Sequence, residues 1–211
     1  MLYHDFCILD KDSADRHSRV FVFTQKQKRQ NKNDSLLVKV KKRTYMPVTT
    51  SIEIFAGTQS FTKAAKTMLP DCEQFITIDI DSRFECTHTC DIMVFDYQSL
   101  IPPDKYFVTH IWCSPPCTEY SKAKTTKERN LEAADALVQK ALEMIRFYQK
   151  YSNPALTWYL ENPRTGLLKT RDIMKPLTTW YDVNYCRYAP WGMRKLTRIW
   201  TNVESGFTPK R

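Results

Sequence analysis

No run of apolar residues in this 211-residue chain reaches the length of a membrane span, and the N-terminal residues lack the apolar core of a secretory signal. Nothing repeats at a fixed period. The seven cysteines are an odd number without regular spacing, so reduced thiols are expected rather than a disulfide framework. An intracellular protein without membrane association is the expectation. What is present is ordinary for one globular domain with a sizeable core: 42% hydrophobic residues in a chain of this length.

The charge is unevenly placed. Residues 1–50 carry eleven basic side chains and five acidic ones, a net +6, against +9 for the whole chain. A basic segment of this kind suits a polyanionic partner, because phosphate contacts supply most non-specific nucleic-acid affinity. A solvated basic tail is the plainer reading of the same run. Within it, Arg19–Phe23 and Leu36–Val40 have strand character around the polar stretch 25–34, which predicts a hairpin with a basic tip in an N-terminal extension over residues 1–49.

From residue 50 to 211 strands and helices alternate. Strands are expected over Ser51–Phe55, Phe75–Ile80, Phe107–Trp112 and Leu156–Leu160, with further strands at Tyr181–Cys186 and Thr197–Thr201. A small-residue turn leads into a helix over Ser60–Leu69. A longer helix follows Asn130, a good N-cap, with Leu131, Ala134, Val138, Ala141, Ile145 and Tyr148 stepping by three and four. This alternation predicts an α/β fold, a mostly parallel sheet with helices on both faces. Ligands of such sheets bind at the C-terminal ends of the strands.

Four unusual segments fall on that rim. Phe55-Ala56-Gly57-Thr58-Gln59-Ser60 joins a strand to a helix, where a small residue lets a ligand approach the backbone and helix N–H groups are free; a tight turn alone would also use glycine. Asp79 ends the next strand about twenty residues on, where a carboxylate can accept hydrogen bonds from ribose hydroxyls. Cys113-Ser114-Pro115-Pro116-Cys117 places a thiol after two rings that stiffen the backbone. Glu161-Asn162-Pro163 delivers a carboxylate at a later strand end. A thiol with an acid at hand suits covalent attack on a ring that is protonated as it is attacked. Cys86 and Cys90 lack a second pair at zinc-site spacing apart from Cys113 and Cys117, so no metal is expected.

In order and spacing, Phe55-Ala56-Gly57, Asp79, Asp91-Ile92, Pro115-Pro116-Cys117 with Tyr120-Ser121, and Glu161-Asn162 resemble the motif series of the DNA (cytosine-5) methyltransferases. The likeness runs from about Ser51 to Asn202, and Glu-Asn-Pro with the Ile-Trp-Thr-Asn ending is similar to short phage and virus members. The resemblance implies a Rossmann-like fold that uses S-adenosylmethionine as cofactor and acts on a flipped cytosine. It implies Cys117 as the nucleophile toward C6, Glu161 on the N3 and N4 edge, and Arg198 with Arg194 orienting the base or supporting Cys117. It implies the cofactor over Phe55, Ala56, Gly57, Thr58, Gln59 and Ser60, with Asp79 on the ribose, Ile80 against adenine, Asp91 and Ile92 at the adenine edge, and Pro115 close by. Ser121, Lys122, Lys124, Lys127 and Arg129 are placed like the family's loop that closes over DNA.

Gln59 and Ser60 stand where the family commonly has glycine. No counterpart of the family's variable target-recognition region is evident, which leaves room for a partner subunit that supplies it. The expected location is cytoplasmic or wherever the DNA lies, with a phage or virus origin. An RNA cytosine-5 methyltransferase and a non-catalytic nucleic-acid-binding accessory subunit remain as alternatives, since a fold alone does not fix a function.

Overall fold

The computed structural model describes residues 46–125, 128–188, 195–205 and 207–210. Seven strands form one sheet: Val48–Ile54 (β1), Gln74–Asp79 (β2), His88–Thr89 (β3), Tyr106–Cys113 (β4), Thr157–Pro163 (β5), Trp180–Asn184 (β6) and Leu196–Thr201 (β7). Their order is β3-β2-β1-β4-β5-β7-β6. The first five pair in parallel, while β7 runs antiparallel to both β5 and β6. The expected mostly parallel sheet is thus found, closed at one edge by an antiparallel pair. β1 starts at Val48, inside the expected N-terminal extension, and the expected hairpin lies outside the described residues.

Alternation along the strands separates two cores. Ile52 and Ile54 of β1, Ile111 and Cys113 of β4, and Trp158 and Leu160 of β5 face the long helix Leu131–Tyr151 (α3). Trp112, Tyr159 and Ile199 face the opposite way, against Phe61, Ala64 and Ala65 of the helix Ser60–Met68 (α1). Helices therefore cover both faces, as the βα alternation requires. A single-turn helix at Tyr97–Leu100 (α2) and β3 occupy stretches where the sequence showed no periodic signal, because neither is long enough to have one.

Helix α3 begins as expected: the Asn130 side chain accepts a hydrogen bond from the Ala133 amide at 3.0 Å. Its far end is fastened to β4. Ser152 Oγ donates to the Tyr106 carbonyl and accepts from the Val108 amide, both at 2.9 Å, and Asn153 Nδ2 donates to the Val108 carbonyl at 3.1 Å. These bonds hold the strand that leads into the double proline.

Helix α1 is capped from outside its own sequence. Gln59 precedes it in a left-handed conformation and makes no capping bond. Instead Glu53 of β1 accepts from the Phe61 amide at 3.2 Å and the Thr62 amide at 2.9 Å. The carboxylate meets two of the four free N–H groups and the positive end of the helix dipole. Burial pushes its pKa above the ordinary 4.5, and the bonds from Thr62 and Phe61 oppose that rise. Replacing Glu53 by leucine leaves both amides unmatched, and we expect a loss of about 2 kcal/mol in chemical denaturation. The pH dependence has a defined sign. With the folded-state pKa raised, the native protein holds the proton more tightly than the unfolded chain. Stability therefore falls as pH rises from near 4.5 through the shifted value, and the penalty is complete above it. Wild type compared with Glu53→Gln across that window should show this slope; a constant difference would count against it.

Candidate active site

The rim at the C-terminal ends of the parallel strands collects the unusual residues. Phe55, Gly57 and Gln59 all have positive φ (58°, 48° and 59°), so the chain turns three times in five residues as it leaves β1. Gly57 alone adopts this without cost; at the other two the left-handed conformation stores on the order of 1–2 kcal/mol each. A Cβ at Gly57 would meet nothing within 4 Å, so the space over it is open. Asp79, at the end of β2, locks the turn: its Oδ2 accepts from the Gly57 amide at 2.8 Å and its Oδ1 from the Asp81 amide at 2.9 Å.

The other residues expected around the cofactor divide into bare and buried. Ile80 is 69% exposed beside Asp79, an apolar side chain left without cover. Thr58 is exposed and its hydroxyl lies 3.1 Å from that of Ser60. Ala56 and Ile92 are buried, Ile92 with its side chain in the α3-side core. Asp91 is exposed and accepts from the Met93 amide at 2.9 Å.

Two cysteines flank the Ser-Pro-Pro step, and their surroundings separate them. Cys113 is fully buried at the end of β4, and burial pushes its thiol far up. Cys117 is exposed on the loop beyond Pro115 and Pro116. Only the second is accessible to a ligand. The loop is anchored on both sides of it. Before it, Asn162 Nδ2 donates to the Pro115 carbonyl at 3.0 Å, joining the loop to the end of β5. After it, the Tyr120 carbonyl accepts from the Leu167 amide at 2.9 Å. The Tyr120 ring is fully buried; its hydroxyl donates to Asp135 Oδ1 at 2.9 Å, and Arg171 donates to Asp135 Oδ2 from Nε and Nη2 at 2.9 and 2.7 Å. Burial, and then that bond to Asp135, pushes the Tyr120 phenol upward. Gly166 lies so close to this anchor that a Cβ would sit 3.2 Å from the Pro163 carbonyl and 3.4 Å from that of Tyr120.

Glu161 is 8% exposed, and its Oε1 has no hydrogen-bond partner. Lys195 Nζ lies 3.4 Å from that oxygen, an ion-pair distance without hydrogen-bond alignment. A buried carboxylate oxygen with unused acceptor capacity is costly, and such groups point to a missing partner. In the antiparallel pair β5–β7, Asn162 lies opposite Arg198. The Arg198 guanidinium is engaged by Asp182 (Nε–Oδ1 2.8 Å, Nη2–Oδ2 2.9 Å) and stacks on Trp180, 3.6 Å from the ring centroid. Asp182 also takes Arg164 at 3.0 Å. Arg198 is thus brought beside Asn162, with its fork held by β6. Arg194 lies outside the described residues.

The basic loop after Tyr120 is folded onto itself. Glu119 accepts from Lys124 Nζ at 2.6 Å and from the Asn130 amide at 2.7 Å, and these two bonds hold its carboxyl below the usual range. Arg129 Nη2 donates to the Ser121 carbonyl at 2.7 Å, and the Ser121 hydroxyl accepts from the Ala123 amide at 3.2 Å. Lys122 is exposed, whereas Lys127 lies outside the described residues.

Sequence reasoning missed Glu53, Glu119, Asp135, Arg171 and Lys195. Glu53 has a signal, an acid inside the apolar run Ile52-Glu53-Ile54. The Tyr120–Asp135–Arg171 set has none, because its members are separated by 15 and 36 residues along the chain.

No family model matches the chain. It is 32% identical over 178 residues to a probable DNA (cytosine-5)-methyltransferase of Frog virus 3 (isolate Goorha), covering 75% of this chain and 72% of the viral protein. Among solved structures, it is similar to the S. pombe Dnmt2 methyltransferase, with a TM-score of 0.44, 10% identity and 75% of this chain covered. The chain spans about half (52%) of the length of that neighbour.

Proposed function

The chain belongs to the DNA (cytosine-5)-methyltransferase family, and from that premise we propose that it transfers a methyl group to C5 of a flipped cytosine in DNA through a covalent bond to Cys117. The observation that carries this reading is the bond from Asn162 Nδ2 to the Pro115 carbonyl, which fastens the strand end bearing Glu161 to the loop bearing Cys117. Acid and nucleophile are then parts of one rigid unit, as addition to a ring with simultaneous protonation requires.

The residues on the rim suit S-adenosylmethionine. A carboxylate at the end of β2, the bare Ile80 beside it and the open space over Gly57 match a ribose, an adenine and a close backbone approach. When bound there, this cofactor supplies an electrophilic methyl group. Asp79 already holds the loop and would accept from the ribose hydroxyls, while Phe55 to Ser60 would hold the remainder.

On the other side, Cys117 Sγ adds as thiolate to C6 of the cytosine, and the ring gains a proton at N3 from Glu161. The electron pair released to C5 takes up the methyl group. Loss of the C5 proton to water, return of the N3 proton to Glu161 and cleavage of the Sγ–C6 bond restore the thiolate and the acid and leave 5-methylcytosine. The buried Oε1 of Glu161 has its acceptor capacity open for the cytosine N4 amino group. Arg198 supports this edge by fixing the strand opposite Asn162. A duplex hides the target atom, so the base enters by flipping, and Lys122 with the neighbouring basic residues meets the phosphates.

Incubation with methyl-labelled cofactor and, in parallel, DNA and tRNA tests the reading. We expect label in DNA, recovered as 5-methylcytosine by mass spectrometry of nucleosides. Label in tRNA alone would transfer the same chemistry to RNA; binding without label would favour an accessory role.

A further inference from the structure

We propose that Gln59 is a clasp that fixes the outer wall of the cofactor site before the cofactor arrives, and so sets how long the cofactor stays. The inference rests on the assignment of the 55–60 turn to S-adenosylmethionine made above.

Two segments enclose this part of the rim: the turn 55–59 after β1, and the stretch 79–86 after β2. They are joined twice. The inner rung is the Gly57 amide to Asp79 Oδ2 at 2.8 Å. The outer rung is Gln59, whose Nε2 donates to the Phe84 carbonyl at 2.6 Å and lies 3.4 Å from the Glu85 carbonyl and 3.9 Å from Cys86 Sγ. Between the rungs the two segments form a closed frame.

The backbone at both ends of the outer rung is unusual. Gln59 has φ 59° and Glu85 has φ 49°, both left-handed and neither a glycine. Position 59 is one where glycine would be free of strain. The Gln59 backbone is tied within its own segment, its amide donating to the Ala56 carbonyl at 2.7 Å and its carbonyl accepting from the Lys63 amide at 3.0 Å, and of the Gln59 bonds those from the side chain are the ones that reach the second segment. The Gln59 side chain makes no capping bond to α1, because Glu53 has taken that task. Its Nε2 is directed across the gap. A wall already fixed does not have to be ordered when a ligand binds, which raises affinity mainly through slower release.

Three variants separate reach from backbone conformation. Gly removes the strain and the rung. Asn tolerates the left-handed conformation well but is one methylene too short to repeat the span. Glu keeps the length but sets a carboxylate against two carbonyl oxygens. Binding is measured with S-adenosylhomocysteine, the methyl-free form of the cofactor, by calorimetry and stopped-flow release, alongside the melting temperature of the free protein. We expect Gln59→Gly and Gln59→Asn each to weaken binding by roughly ten-fold, mostly through faster release, with Gln59→Glu weaker still. The melting temperature of Gln59→Gly should equal or exceed that of wild type, a split that a purely structural role would not give. If wild type binds and either Gly or Asn stays within about two-fold of it, the clasp is overturned and the assignment of the site stands. If wild type itself fails to bind, the assignment falls and the clasp with it.

Discussion

Replacing Cys117 by alanine should lower methyl transfer by on the order of 10⁴-fold or more, since removal of a covalent nucleophile leaves only the binding and orienting contributions. The structure makes this a clean substitution. Cys117 is exposed on its loop, so its truncation opens no cavity and the melting temperature should stay close to wild type. S-adenosylhomocysteine affinity should be unchanged as well. Cys113, four residues earlier, is the internal control: it is fully buried, and its replacement by alanine should lower stability while covalent trapping persists. DNA containing 5-fluorocytosine supplies the trap, because fluorine at C5 cannot leave as a proton does. Wild type should form an adduct stable to denaturation and Cys117→Ala none. An adduct that survives in Cys117→Ala would remove that thiol from the reaction.

Glu161→Gln should be the second most damaging change, with a rate loss on the order of 10² to 10⁴-fold, the usual contribution of a positioned acid. Glutamine has the shape of glutamate and fills the same buried space, so the fold should tolerate it. Its amide cannot deliver a proton to N3. Because thiolate addition and ring protonation are coupled, trapping with 5-fluorocytosine DNA should slow along with turnover. A variant that traps at the wild-type rate but turns over slowly would place Glu161 after the covalent step. Lys195 loses its partner in this variant, but it is half exposed and water takes the place of the carboxylate.

The parts of this molecule that sequence made legible are those whose signals are local. Helix α3 could be placed from its apolar steps and its Asn130 cap, and β1, β2, β4 and β5 from short apolar runs that end at polar or special residues. The topology followed from alternation, except at the edge, where β6 and β7 pair antiparallel. Two strands in succession without a helix between them carried that information, since an antiparallel pair needs no crossover. What stayed hidden is non-local. Glu53 reads as an oddity in a strand until α1 folds over it. Asp135 is simply a polar position in the first turns of α3 until Tyr120 and Arg171 converge on it. Arg198 stood out by its motif, but its engagement by Asp182 and Trp180 depends on β6, which sequence could locate only approximately. The family likeness named the residues; the hydrogen bonds say which of them are fixed.

The double anchoring of the 115–120 loop has a thermodynamic meaning. Pro115 is tied to Asn162 and Tyr120 to Leu167, with the Tyr120 ring locked by Asp135. Between these points the chain from Pro116 to Glu119 is a short span pinned at both ends, and its first residue is a proline. Such a span has few conformations left to lose. A thiol in free solution would surrender translational and rotational freedom at every encounter with a ring carbon, a cost that intramolecular reactions escape by effective molarities on the order of 10⁵ M or more. In the proposed covalent mechanism that freedom would be given up once, when the core closes around Tyr120, and each turnover would start from a loop whose path is already fixed.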